Sequence, residues 1–470
     1  MSLSGFRYGI FLLALLILIL AAGPVFAREA IPEKITGEVT LAGELLLPAT
    51  AIVEKGAVLI LDAGSRVKVS PGASIEVRGK LAIKGTAKEH VIIASDGTEM
   101  WGGITFSQGA EGKLQYLEIT GANVGIGMIA SKVTVDYTTV TGAEKGIHLI
   151  KEANVHVSGC TLKNNKIGLV VEMKSIGSVS GCILEKNEVG VGIGSGGITD
   201  LLNNRFTGNQ IGVRVFQRFP GQIAGNLFED NKVGVRLEQN GPDTVVEKNR
   251  FTASTEAAIL ALSYTSPTIR NNFIAGGKYG ILAHQFSSPK ILNNRIEKME
   301  EAIHLNKKST SIVSGNVITH SKVGLFLDFS SYPDASNNRF EDNELHVKLG
   351  RFQSTHWEAS AGSKQIVMKT AAQVKSRNPR LAAAPEEFPE SVNLTGNWWD
   401  EKTRSEMTQK GGMADIGTIY DGHDLPVVTY QGFGEEKYRL DKVVYLPLLK
   451  SPPQASGLKG WQGRKDELGF

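Results

Sequence analysis

The chain has 470 residues, with 53 glycines, 16 prolines, two cysteines and 7% aromatic residues, at 41% hydrophobic and 21% charged. That is too apolar for a disordered chain, too poor in cysteine for a disulfide-dense scaffold and too glycine-rich for an ordinary helical protein. The formal charge of +3, or +2 without Arg7, gives no reason to expect a nucleic-acid partner.

The first element is an export signal over residues 1–27. Arg7 precedes the apolar run from Ile10 to Ala22, and Gly23-Pro24 with Val25-Phe26-Ala27 supply a helix break and the small residues of a cleavage site. The run is shorter than the ~20 residues of a membrane span, so no stable span is expected after cleavage. No cysteine stands there to carry a lipid. The mature chain is therefore read as exported, to the periplasm or the extracellular medium.

Residues 28–112 alternate apolar and polar positions, as in Gly56 to Ala87, and reach Trp101-Gly-Gly-Ile-Thr-Phe106. They read as N-terminal capping coils over the open end of a stack.

Residues 113–350 carry an internal repeat. Small anchors stand at Gly125, Gly146, Gly168, Gly190, Gly212, Gly234, Ala258, Gly280, Ala302 and Gly324, with His346 closing the series; their spacing is 22 residues except for one of 21 and one of 24. Positions one and three after the anchor are apolar and positions two and four vary, which is the period-two pattern of a strand. Eight residues before the anchor stand Cys160, Cys182, Asn204, Asn226, Asn272, Asn294, Asn316 and Asn338, with Asn249 displaced by one residue in the long coil. Two residues after each comes Leu, Ile or Phe. A lap of this length holds three short strands and three bends. If laps stack at about 4.8 Å, each Asn meets the next and can donate to and accept from it. The small anchors are expected to let the backbone turn a corner.

After Gly350 the period stops. Residues 351–392 read as a loop excursion, and 393–451 as a last coil and C-terminal cap in which Asn397 and Trp399 return to the ladder columns. Residues 452–470 read as a flexible tail. The fold class is all-β, a single-stranded parallel β-helix with coils of about 22 residues.

The N-x-[F/I]…G-[I/V]-x-[V/L] units resemble the right-handed parallel β-helix repeats of the pectate-lyase-like superfamily. Within it they resemble the NosD-like periplasmic group and the carbohydrate-binding and sugar-hydrolase-associated coils. The resemblance implies an exported bacterial scaffold and either carbohydrate binding, polysaccharide lyase, hydrolase or epimerase activity, or accessory help to a periplasmic copper enzyme. One fold hosts many functions, so the residues must choose among these.

For catalysis they offer little. The N-T-D, D-D, G-H-G and R-I-K motifs of the superfamily's hydrolases are absent. Glu172, Glu238 and Asp328 share a column but lie three and four coils apart, about 14 and 19 Å, outside the ~6.5–9.5 Å of an inverting pair. Asp421, His423 and Asp424 resemble the D-P-H-D element of alginate epimerases with Gly422 in place of Pro, which makes them weak catalytic candidates; an Asp/Gly turn in the end cap is the favoured reading.

Binding is the stronger expectation. Arg214 and Arg236 share an outward column with Glu238 beside them; His284, His304 and Asp328 follow on the same face, and Tyr264 and Phe286 share the next bend. Rings can cover sugar faces while Arg and Glu reach hydroxyls or carboxylates, so the expected partner is a polysaccharide or cell-envelope glycan; a solvated β-helix surface with the aromatics packed under a loop is the other reading of the same residues. The nine histidines show no metal-ligand spacing, and neither a metal nor another cofactor is expected. Cys160 and Cys182, on adjacent coils, read either as a disulfide or as stacked buried thiols.

Overall fold

Short strands with one apolar face each can bury all of those faces at once if they wind around a common axis and stack in parallel. The computed structural model, which describes residues 28–194, 196–360, 390–431 and 435–453, does this in a mostly β solenoid whose second face is a 14-stranded parallel sheet. The expected signal peptide and most of the expected excursion and tail lie outside the described residues. No helix among the described residues is long and apolar enough to cross a membrane.

Each regular lap has three strands. In the lap beginning at Ile167 they are Ile167–Val171 on face A, Ile176–Ser180 on face B and Ile183–Glu185 on face C. Each pairs with the strand 22 residues on, namely Val189–Ile193, Ile198–Leu202 and Arg205–Thr207. The coils expected to cap the N-terminal end pair without a break into the regular ones, from Lys80–Lys84 through Glu111–Gln115 to Lys132–Asp136. They are laps of the same solenoid. Its open end is instead made of short strands carrying Glu29, Lys34 and Glu38, which discourage edge pairing. Inside, like stacks on like: Phe206, Phe228 and Phe251 have ring centroids 4.7 and 4.6 Å apart, and Phe340 lies 4.8 Å from Trp399.

Side chains close all three bends. Between faces B and C, the Asn249 amide donates to Asn272 Oδ1 at 3.0 Å, and Asn272 and its neighbours repeat the pattern through Asn338 to Asn397. Each Asn Nδ2 also reaches a backbone carbonyl, as from Asn272 to Val246 O at 2.9 Å. Between faces C and A runs a second ladder, Asn165, Asn187, Asn209 and Asn231, at 2.9 to 3.0 Å per step. Between faces A and B, Asn240, Thr265 and Ser287 form one shorter run and Ser309, Ser331 and Gln353 another.

The anchors are not corner residues. They lie inside the face A strands, and the glycines among them have no room for a side chain: a Cβ on Gly146 would come within 2.4 Å of Gly168 O, with the same contact repeated at the other glycines, whereas Ala258, Ala302 and His346 carry one in the same column. Left-handed backbone sits at the bends themselves, at Asn203, Asn271, Asn293 and Asn337 among others.

In the structure Cys160 and Cys182 are free, buried thiols. Their side chains project in parallel from stacked laps, and each sulfur does the work of an Asn oxygen: Cys182 Sγ accepts the Cys160 amide and Cys160 Sγ the Thr138 amide, both at 3.4 Å. The neighbouring sulfur and burial push the Cys160 thiol up.

The solenoid ends where the anchor becomes His346. Its Nε2 lies 2.8 Å from Asp400 Oδ2, and Asp400 caps helix α2, Glu401–Lys410, by accepting the Thr403 amide. Burial would raise the Asp400 carboxyl, but His346 and Thr403 hold it well below the usual carboxylate range. Helix α1, Thr355–Ser360, lies over the bend between faces A and B, with Glu358 buried against Lys308 and Ser330.

Candidate functional site

Outward positions on face A form one continuous row because the strands are in register. Arg214 lies beside Arg236, then come Leu260, Leu282, His304, Phe326 and Lys348, one per lap. The structure therefore brings the expected arginines together, and Glu238 joins them: its Oε1 is 2.7 Å from Arg236 Nε and 3.5 Å from Arg214 Nε. One carboxylate serves two guanidiniums, which leaves the trio net cationic.

Two leucines then separate the arginines from His304. They belong to an outward apolar cluster of Val233, Ala257 and Leu260 with Ile211, Leu262, Tyr279 and Leu282 around it. His304 Nδ1 lies 2.5 Å from Glu301 Oε2, with the ring 4.5 Å from Phe326 and tilted by 33° to it, and edge-on to Tyr279. His284, one lap before and two positions further along the strand, is held below the usual histidine range by burial and by Lys307 and His304. Tyr264 and Phe286 stack at 5.1 Å with planes 4° apart, and Tyr264 is 43% exposed. Both have left-handed backbone, an unusual place for a bulky side chain.

Asp328 does not join this row. Its Oδ1 accepts the amides of Phe329 and Phe352, and its carboxyl fills the space over Gly350, where a Cβ would lie 2.3 Å from Asp328 Cγ. The outward column placed it on the face, but the bare glycine on the next lap lets it fold back onto the backbone.

Asp421, His423 and Asp424 form a structural turn. Asp421 Oδ1 accepts the His423 amide and lies 2.9 Å from His423 Nδ1, Asp421 Oδ2 accepts the Val443 amide, and Asp424 accepts the Asp421 amide. Gly422 donates its amide to Asp441 O, which a proline could not do. Among the carboxylates of the expected column, Glu172 is engaged with His148 at 3.0 Å, and Glu238 with the arginines.

Reading by single columns missed Phe326 and Lys348, which continue the arginine column, and the second Asn ladder. The signal was present for both: Asn165, Asn187, Asn209, Asn231 and Asn343 all stand three residues before an anchor. Two surface hollows, of 470 Å³ beside Lys55, Arg78 and Glu111 and of 320 Å³ beside Lys132 and His156, lie on the N-terminal laps, away from this row.

A model of right-handed β-helix regions matches residues 52–177 and 125–274, and the family described as periplasmic copper-binding protein (NosD) matches residues 220–372. No curated protein sequence matches the chain. Among solved structures it is similar to the catalytic domain of a GH87 α-1,3-glucanase in complex with nigerose, at 13% identity over 68% of this chain and 60% of that one, with a TM-score of 0.28. It is also similar to a mannuronic acid specific polysaccharide family 6 lyase from human gut microbiota, at 10% identity over 74% and 99% of the two chains, TM-score 0.27. An alginate lyase from Paenibacillus sp. str. FPU-7 matches at 14% identity over 61% and 93%, TM-score 0.24. The chain spans 60% of the glucanase domain's length, and likenesses this distant carry no substrate to it.

The residues present do not fit a copper site. Among the described residues no three His, Cys, Asp or Glu side chains converge on one point. His346 has both ring nitrogens engaged, by Asn343 and Asp400, and His148 and His423 each face a carboxylate. Both cysteines are buried in the ladder.

Proposed function

Taking as premise that the chain is a right-handed parallel β-helix protein, we propose that it is an exported scaffold that binds an acidic polysaccharide along face A. The observation that supports this most is the Arg214–Arg236 pair sharing one carboxylate, followed by a row of apolar and aromatic side chains at one per lap. An extended glycan advances by about one strand spacing per sugar, so successive uronate carboxylates can meet successive laps. Guanidiniums bind carboxylates in a plane, and Tyr264 and Phe286 offer rings at the edge of the row. No carboxylate pair spaced for glycosidic cleavage is formed by Glu172, Glu238 and Asp328, which favours binding over turnover.

In affinity electrophoresis through gels containing polygalacturonate or alginate, the purified chain should be retarded, and Arg214→Ala with Arg236→Ala should weaken binding about ten-fold, roughly 1.4 kcal/mol. The polymer should emerge unchanged, without the ultraviolet-absorbing ends that a lyase leaves. Retardation that survives the double substitution removes this face as the site.

The NosD match supports a second reading, an accessory role beside a periplasmic copper enzyme. On this reading the chain acts as a scaffold without copper of its own. Deleting it should lower that enzyme's activity, while the purified chain should lose added copper on dialysis.

A further inference from the structure

The bend between faces B and C carries left-handed backbone on lap after lap, and it is filled by residues that tolerate it, such as Asn203, Gly225, Asn271, Asn293 and Asn337. Three laps break the rule with larger side chains, one with Lys248 at φ 53° and two early ones with tyrosine. Tyr116 and Tyr137, both at φ 47°, occupy this position with bulky side chains that are strained there. Tyr116 is half-buried, but the Tyr137 ring does not repay its strain by burial: it is 54% exposed, the most exposed large hydrophobic side chain described. They stack on each other at 4.9 Å with planes 10° apart, and His90 stands 5.7 Å from Tyr116.

The next two laps carry no side chain at this bend. Gly159 and Gly181 hold the same bend position, and the Tyr137 ring already fills the space a Cβ on Gly159 would need, within 2.8 Å. Hydrogen-bonding groups flank the rings on both sides. Asp136, which precedes Tyr137, accepts a hydrogen bond from Ser158 Oγ at 2.6 Å, and Glu118 lies 2.6 Å from His90 Nδ1. A strained aromatic stack whose outer ring, Tyr137, is exposed, set between carboxylates and followed by bare glycine, points to a ligand with an apolar face and hydroxyl donors.

We infer that the Tyr116–Tyr137 bend is a second glycan-binding platform, one that takes neutral sugar rings rather than uronates. The rings cover a pyranose face, Asp136 and Glu118 accept from its hydroxyls, and the same two carboxylates repel an acidic chain. This rests on the carbohydrate-binding reading of the solenoid but not on the arginine face, which lies on another side of the lap.

The test uses the purified chain in gels containing hydroxyethylcellulose, galactomannan or soluble starch. Retardation is expected in at least one of them, weakened about ten-fold or more by Tyr116→Asn with Tyr137→Asn and unchanged by Arg214→Ala with Arg236→Ala. Asn is native to this bend at Asn203 and Asn271, so the Tyr variant should keep its fold and melt at the same temperature or higher. No retardation in any of the three gels, or retardation that persists in the Tyr variant, overturns the proposal. A clear fall in melting temperature overturns it too, because it would show the rings to be there for stability. Loss of binding to acidic gels alone would strike the arginine face and leave this platform standing.

Discussion

Asn272→Ala is expected to destabilise the solenoid by about 3–5 kcal/mol, several times the effect of an ordinary surface substitution. The side chain makes four buried hydrogen bonds at once, one of them from its Nδ2 to Asn294 Oδ1 at 3.0 Å. Its Oδ1 accepts both the amide and the Nδ2 of Asn249, at 3.0 and 3.1 Å, and its Nδ2 donates to Val246 O. Asn249, Asn272 and Asn294 are all fully buried, so no water replaces what is lost. Each orphaned group costs about 1–3 kcal/mol. The native column also predicts a graded series: Asn272→Cys should cost less than Asn272→Ala, because Cys160 and Cys182 show that a sulfur can still accept the amide below it. Chemical unfolding followed by amide exchange in laps 226–294 measures this, since damage in a stacked repeat spreads to nearest neighbours. A shift below about 1 kcal/mol would mean that the ladder is ornamental.

The second large effect is on pH dependence at the C-terminal end. Asp441 is buried, and burial pushes its carboxyl up to about 6, against the opposing bonds from Tyr332 and Thr355. In the unfolded chain it titrates near 3.9. The folded state therefore binds the proton more tightly. The stability this group contributes is complete below about pH 4 and is lost as pH rises to about 6, a difference of roughly 3 kcal/mol. Asp441→Asn keeps the shape without the charge. It should match the wild type at pH 4 and exceed it at pH 7, read as protection factors for Thr355 and the neighbouring amides. Asp328, also raised by burial, titrates with the same sign, and the lowered Asp400 with the opposite sign at lower pH; neither changes the comparison between wild type and variant. Equal stability of the two proteins at pH 7 would contradict the assignment.

The solenoid was readable because stacking forces like residues into one phase. Asn204 to Asn338 and Phe206 to Phe251 announce the lap length without any knowledge of angles. The cause of the small anchors was not readable. A glycine required by a carbonyl 2.4 Å from its missing Cβ looks, in sequence, the same as one required by a turn. Tyr116 and Tyr137 were hidden for a related reason: their left-handed backbone is a property of the bend, and the column shows its meaning only once Gly159 and Asn203 are aligned with it.

The site was half legible. Periodicity put Arg214, Arg236 and Glu238 together, since all three sit at outward positions of paired strands. It could not tell that Asp328 turns back to the Phe329 and Phe352 amides, because that depends on the empty space over Gly350. Nor could it find Glu358 against Lys308, 50 residues away and off the period.

The binding row requires face A to advance by one strand spacing per lap, and spin-label distances test this directly. In a Cys160→Asn, Cys182→Asn background, which extends the Asn ladder, labels at Arg214→Cys paired in turn with His304→Cys, Phe326→Cys and Lys348→Cys stand four, five and six laps apart. Pulsed dipolar spectroscopy should return about 19, 24 and 29 Å, rising by about 4.8 Å per lap. Distances that fail to rise in that order, or a Lys348 label closer to Arg214 than the His304 label is, would contradict the stacked solenoid and the binding row built on it.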